Sequence, residues 1–244
     1  MLKRATIVAL AMLCLPSVAR AQQTIFNVPS REVLEPGRLY LETDVYFRPW
    51  ETDSGRTAFG SLRAVYGALS TVEIGINSGP FDFRESNQPF VDFAMKWRPV
   101  QADLGEGENA GEFRFYLGTN MGIGVRGEEA GNVRDLAYAA ASLEVPTVAT
   151  RLTVGPYFAT SRVFADPSRG GVLAAIEQPI PVVKGLTAAA DWFSGDGAFL
   201  TVGAIWTVGP VTLYGGYGFS NDGRADDLLV IELGVTLDCS GGKS

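Results

Sequence analysis

Apolar residues recur at every second position in twelve separate stretches of this 244-residue chain. From Arg38 it reads RLYLETDVYFR, so Leu39, Leu41, Thr43, Val45 and Phe47 share one face of an extended strand, and Tyr40, Glu42, Asp44, Tyr46 and Arg48 share the other. The alternation returns at about 57–67, 71–77, 90–98, 113–125, 135–143, 151–159, 172–178, 186–194, 199–208, 211–219 and 228–237. Gly, Pro, Asn, Asp and Ser fill the intervals, as turns between strands require. The sixth stretch is the weakest, because DLAYAAASLE has comparable helix propensity. A chain punctuated in this way is all-β, either a soluble sandwich or a closed barrel.

Three features favour a barrel that spans a membrane. The strand count is even, as in single-chain up-and-down bacterial outer-membrane barrels. With the N-terminus on the periplasmic side, the turns at 67–70, 144–150 and 207–210 fall inside, and mostly longer loops at 49–56, 78–89, 126–134 and 160–171 fall outside. Aromatic residues of the apolar faces gather at strand ends: Tyr66, Trp97, Phe113 and Trp206 on the inner side, Phe47, Phe158, Trp192 and Phe219 on the outer side. Tyr and Trp favour the membrane–water boundary because one end of the ring is apolar and the other can hydrogen-bond. A strand of about 10 residues tilted near 40° rises roughly 25 Å, the height of a lipid-facing band. In a soluble sandwich the aromatics would gather mid-strand instead.

The stretch from Ala190 to Gly223, ADWFSGDGAFLTVGAIWTVGPVTLYGGYGFSNDG, runs strand, tight loop, strand, short turn, strand. It resembles Gram-negative outer-membrane β-barrel proteins of about twelve strands, a likeness that covers residues 38–237 and names no subfamily. The resemblance implies a porin- or transporter-like protein assembled by the barrel-assembly machinery. Three departures stand out. The last strand ends at Leu237 rather than on an aromatic residue, Pro156 sits inside a strand, and the inner connection at 100–111 is long.

The chain begins as an export signal would. Lys3 and Arg4 precede an apolar run from Ala5 to Leu15, and Ala19-Arg20-Ala21 is a small-x-small cleavage site. The expected division is a signal peptide at 1–21, a periplasmic segment at 22–37, the barrel at 38–237 and a tail at 238–244. Leu13 before Cys14 argues against a lipid anchor, and cleavage leaves Cys239 as the single cysteine. The mature chain then holds 17 basic and 27 acidic residues, net −10, without the basic face that nucleic-acid binding needs. After residue 21 no apolar stretch is long enough for a transmembrane helix. The expected location is the outer membrane of a Gram-negative bacterium after Sec-type export, as a monomer in outer-membrane lipid.

The chain contains no histidine, which removes Ser-His-Asp and Cys-His hydrolases, HExxH metalloproteases and histidine-ligated metals. Of the mature lysines, Lys184 lies in a turn and Lys243 in the tail, so the general base of an enzyme would have to be a carboxylate or Lys96. No catalytic activity, cofactor or metal is expected. Gly122-Ile123-Gly124-Val125-Arg126-Gly127 matches GxGxxG, yet its glycines alternate within one strand instead of opening a helix. Asn221, Asp222, Asp226 and Asp227 around Gly223 offer oxygen ligands without calcium-loop spacing, so a turn is the simpler account.

The faces opposite the apolar stripes carry charge. Glu42, Asp44, Glu73, Asp92, Glu177, Asp191 and Glu232 are acidic; Arg48, Arg63, Lys96, Arg98, Arg114 and Arg151 are basic. Acids concentrate on strands 8, 9, 12 and 1, bases on strands 2 to 7. They create a transverse field across a wet lumen, or pair into a lattice that fills it. Gly118, Gly122, Gly203, Gly216, Gly218 and Gly234 also point inward and vacate volume that water can occupy. The expectation is a narrow water-filled pore for small polar solutes, lined by Glu42, Asp44, Arg63, Asp92, Lys96, Arg114, Arg151, Asp191 and Glu232. The alternatives are a closed structural or adhesive barrel and, behind both, a soluble periplasmic binding protein.

Overall fold

The structure, a computed structural model, describes residues 24–48, 58–82, 90–106, 110–125, 127, 130–160, 170–195, 198–221 and 227–240. The signal segment with Cys14, the loop 49–56, most of the other outer loops, Arg126, Asp222, Asp226 and Lys243 lie outside these residues. The strands are β1 (Arg38–Phe47), β2 (Ala58–Leu69), β3 (Val72–Asp82), β4 (Phe90–Leu104), β5 (Gly111–Gly124) and β6 (Val133–Glu144). They continue as β7 (Arg151–Ala159), β8 (Gly170–Pro179), β9 (Leu186–Phe193), β10 (Phe199–Val208), β11 (Val211–Ser220) and β12 (Leu228–Asp238). Each pairs antiparallel with its neighbours in sequence, and β12 closes on β1 from Arg38↔Asp238 to Phe47↔Leu229. The fold is therefore an all-β, up-and-down antiparallel barrel of twelve strands.

The two faces are inverted relative to a water-soluble barrel. Outside, Leu62, Phe93, Val154 and Ile231 are 55%, 58%, 55% and 52% exposed. Inside, Glu42, Asp44, Lys96, Asp191 and Glu232 are at most 4% exposed. Strand β7 shows the period most plainly: Arg151, Thr153, Gly155, Tyr157 and Ala159 are buried, and the four residues between them are exposed. An exposed apolar belt on a closed sheet fits a membrane barrel. No helix among the described residues is long and apolar enough to cross a membrane.

The departures from regularity have local causes. The sixth stretch is a strand despite its alanines, because pairing to β5 and β7 overrides propensity. Residues 100–111 are not a long connection. β4 runs to Leu104 and β5 starts at Gly111, paired Val100↔Phe115 through Leu104↔Gly111 beyond a register shift between Trp97 and Val100. Arg98 and Pro99 fill that bulge, where a proline costs no ladder bond. Pro156 is accommodated without a shift: its pairing to β8 is continuous, and the ladder to β6 skips from Tyr138↔Tyr157 to Ala141↔Val154.

The rim where β1 begins and β12 ends is called inner below, and the opposite rim outer. Tyr66, Trp97, Phe113 and Trp206 face outward near the inner rim; Phe47, Phe158, Trp192 and Phe219 face outward near the outer one. Two indoles use their polar edge there. Trp192 Nε1 donates to Asn221 Oδ1 at 3.0 Å, and Trp206 Nε1 donates to the Lys184 carbonyl at 3.3 Å.

Candidate functional site

The lumen holds a piece of the chain itself. Residues 24–34, expected as part of a periplasmic segment, lie inside the barrel instead. The cause is in their composition: Ile25, Phe26, Val28 and Leu34 are at most 2% exposed, and the first three join the wall residues Tyr116, Leu173, Phe193, Ile205 and Tyr214 in one apolar cluster. An extended apolar segment left in water would forfeit roughly 1.5–3 kcal/mol for each such side chain. The segment folds back on itself, with an isolated bridge Thr24↔Pro29 and an Ile25 N–H to Val28 carbonyl bond of 2.8 Å. It leaves past Gly67, where an added Cβ would strike the Glu35 carbonyl oxygen, and the Gly37 N–H donates back to the Gly67 carbonyl at 3.0 Å.

Wall side chains satisfy the backbone of this plug. Asp191 Oδ2 accepts the N–H groups of Phe26, Asn27 and Val28 at 2.9, 2.5 and 2.7 Å, and its Oδ1 accepts Asn27 Nδ2 at 3.3 Å. Asn27 Nδ2 also donates to Thr201 Oγ1. Tyr116 donates to the Pro29 carbonyl at 2.9 Å, Lys96 Nζ to the Ser30 carbonyl at 3.2 Å, and the Leu34 N–H to Glu73 Oε2 at 2.8 Å. Arg63 Nη1 reaches Thr24 Oγ1 at 3.0 Å while pairing with Glu42 Oε1 at 2.7 Å. Buried N–H and C=O groups need such partners, and this irregular segment finds them on β3, β4, β5 and β9.

Near the inner rim the contact becomes ionic. Glu112 and Glu144 stand directly opposite each other on β5 and β6, a like-charge pairing that by itself opposes the sheet. Arg31 of the plug sits between them, with Nη2 at 2.6 Å from Glu112 Oε2 and 2.7 Å from Glu144 Oε2. Arg114 joins Glu32 and Glu112, and Arg151 joins Glu144. Burial pushes the Glu32 carboxyl up, but the guanidiniums of Arg114, Arg151 and Arg31 outweigh it and hold the group below the ordinary carboxylate range. A depressed carboxyl contributes fully above its unfolded pKa of about 4.3, and that contribution disappears as pH falls through the lower folded value. Hydrogen-exchange protection of the amides in 24–34, corrected for intrinsic rates, is therefore expected to hold at neutral pH. It should fall once the pH drops below the ordinary carboxylate range, and Glu32→Gln should flatten the part of the profile that belongs to this residue.

Elsewhere the inward charges pair along the wall. Lys96 Nζ lies 2.8 Å from Glu73 Oε1, and Arg134 clasps Asp92 across β5 through Nε and Nη2. Most of these inward charges are paired in this way, while Glu232 finds no hydrogen-bond partner among the described residues. The inward glycines make room for side chains, which corrects the expectation that they leave room for water. A Cβ at Gly122 would collide with Asp92 beneath the Arg134 clasp; at Gly118 and Gly234 it would meet the rings of Tyr138 and Tyr40. Gly203 and Gly216 lie under the Phe26 ring, and Gly218 lies under Leu228. Tyr138, Tyr40, Phe26, Leu228 and Asp92 occupy the vacated volume. A cavity of about 200 Å³ remains on the outer side of the plug, lined by Phe26, Asn27, Tyr46, Arg63, Leu136, Phe193, Ala198 and Phe199.

Glu42, Asp44, Arg63, Asp92, Lys96, Arg114, Arg151, Asp191 and Glu232 all point into the barrel. Asp191, Lys96 and Arg63 touch the plug backbone or Thr24, and Arg114 touches Glu32. Asp44 and Glu232 touch neither. Sequence reasoning missed Arg31, Glu32, Glu112, Glu144 and Arg134. The signal for the first two was the run TIFNVPSREVL, too apolar for a free linker. The chain matches no protein-family model, and comparison with curated proteins finds no match.

Proposed function

We propose that this chain is an outer-membrane barrel closed by its own N-terminal segment, passing small polar solutes only while that segment is displaced. The observation that carries the reading is the occupied lumen: residues 24–34 are seated by hydrogen bonds and ion pairs, contacts that exchange with water at modest cost when made singly. The exposed apolar belt and the aromatic rims support residence in lipid, and the N-terminal signal supports export to the outer membrane. Assembly by the barrel machinery, a monomeric state and the lack of any catalytic step belong to the same proposal. The interior supports passage in the displaced state, because the wall groups that bond the plug's polar atoms are charged side chains and hydroxyls that water and ions would take over, beside the apolar patch of Leu173, Phe193 and Ile205 that displacement bares. With the plug docked, the closed structural barrel and the pore are one molecule in two states.

Fractionation is the first test. The mature protein is expected in the outer-membrane fraction, soluble only with detergent, and migrating differently in SDS before and after boiling. Planar bilayers should show little steady conductance from the intact chain. Recovery from the periplasm without detergent, or a steady open conductance with residues 24–34 still protected from hydrogen exchange, would sink the proposal.

A further inference from the structure

A second like-charge pair faces the interior, and among the described residues no cationic side chain bridges it. Asp44 of β1 and Glu232 of β12 stand directly opposite each other, and Glu42 lies two residues from Asp44 on the same face. The three carboxylates each place an oxygen within 4.8 Å of the others, and the residues are 2%, 1% and 4% exposed in that order. Glu42 is satisfied, by Arg63 on Oε1 and by the Tyr40 hydroxyl on Oε2. Ser61 donates to Asp44 Oδ2. Asp44 Oδ1 and both Glu232 oxygens have no hydrogen-bond partner. Glu232 is thus a buried carboxylate wholly without a donor, aimed into a cluster that holds one guanidinium against three acids.

The contrast with Glu112 and Glu144 is instructive. There the same cross-strand clash is relieved by a cation of the chain, Arg31, placed between the two carboxylates. At Asp44 and Glu232 the two carboxylates are opposed in the same way, and no side chain among the described residues supplies the bridging cation. Burying unpaired carboxylates costs several kcal/mol each by general estimates, so the cluster must take up protons or a cation.

We infer that Glu42, Asp44 and Glu232 bind one hard divalent cation, calcium in preference to magnesium, at the seam where the last strand closes on the first. The donors are all oxygen, and the chain has no histidine to supply nitrogen, which disfavours zinc and copper. Glu232 offers both oxygens free, a bidentate grip that suits the larger coordination shell of calcium, whereas magnesium holds tightly to its own waters. The bound ion would link β1 to β12 by charge where the like-charged side chains alone repel.

The test uses the folded mature chain in detergent micelles, stripped with chelator and titrated with calcium. One calcium per chain is expected, in the submillimolar range, with the temperature of the heat-induced gel shift rising on binding. Glu232→Gln and Asp44→Asn should each weaken binding at least tenfold; Asp227→Asn, in the last outer loop, should leave it unchanged. If either seam variant fails to fold, terbium on the wild-type chain gives the second reading. Tyr40, whose hydroxyl bonds Glu42, should sensitise terbium emission, and calcium should quench it. Absence of saturable calcium binding up to about 10 mM, above the weak extracellular range, would assign protons to the seam and overturn the inference. Calcium binding that survives both seam substitutions, or that is lost with Asp227→Asn alone, would overturn it as well.

Discussion

A chain lacking residues 22–34 is expected to turn a silent bilayer into a conducting one. The deletion removes the Phe26 ring from above Gly203 and Gly216, and it frees Asp191, Lys96, Glu73 and Arg114 from the plug. Those groups then need water, so the interior becomes a hydrated passage. Acidic groups outnumber basic ones on the inner face, with Glu42, Asp44, Glu73, Asp92, Glu177, Asp191 and Glu232 among them, so the passage should favour cations over anions. The deletion also bares Leu173 and Phe193, so the same preparation must still resist SDS before boiling. A synthetic peptide of residues 22–37, added from the inner side, should restore silence. If the deletion variant folds and stays silent, residues 24–34 are not what closes the barrel, and the closed structural reading takes over.

How legible this was from sequence depends on whether a residue meets a periodic environment. Each strand turns an exposed apolar face outward and a buried face to the lumen, so alternation registers almost residue by residue; the period predicts a strand at 151–159, and β7 runs from Arg151 to Ala159. The period of β4 breaks off at Arg98 and Pro99, which fill a bulge, and its extension to Leu104 is exposed on both faces, so no alternation marks it. The plug was illegible by the same logic. Ile25, Phe26, Val28 and Leu34 are surrounded by wall on several sides, and a segment contacted all round shows no period. Its clue was composition.

The glycines illustrate a second limit. A missing side chain signals vacated volume without saying who takes it. Gly122 accommodates an ion pair, Gly203 and Gly216 a phenyl ring, and Gly234 a tyrosine. Partners from strands or segments far away in sequence decide, and alternation within one strand carries no information about them. The same holds for Glu112 and Glu144, whose relation becomes visible only once β5 and β6 are paired in register.

That pairing carries the second large effect. Arg31→Met should destabilise the docked plug by about 3–5 kcal/mol, the usual cost of breaking a buried ion pair from one side. The loss is large because two carboxylates, directly opposed, are left at once: Glu112 keeps Arg114 and Glu144 keeps Arg151, but the cation between them is gone. Methionine preserves most of the aliphatic stem, so the change reports charge rather than packing. The expected readings are a lower temperature for the heat-induced gel shift and faster exchange of the amides of Phe26, Asn27 and Val28. Adding Glu112→Gln and Glu144→Gln to Arg31→Met removes the opposed charges, so the triple variant should recover much of the lost stability. A single variant as stable as the wild type, or a triple variant no better than the single, would show that Arg31 holds the plug by something other than its position between two like charges.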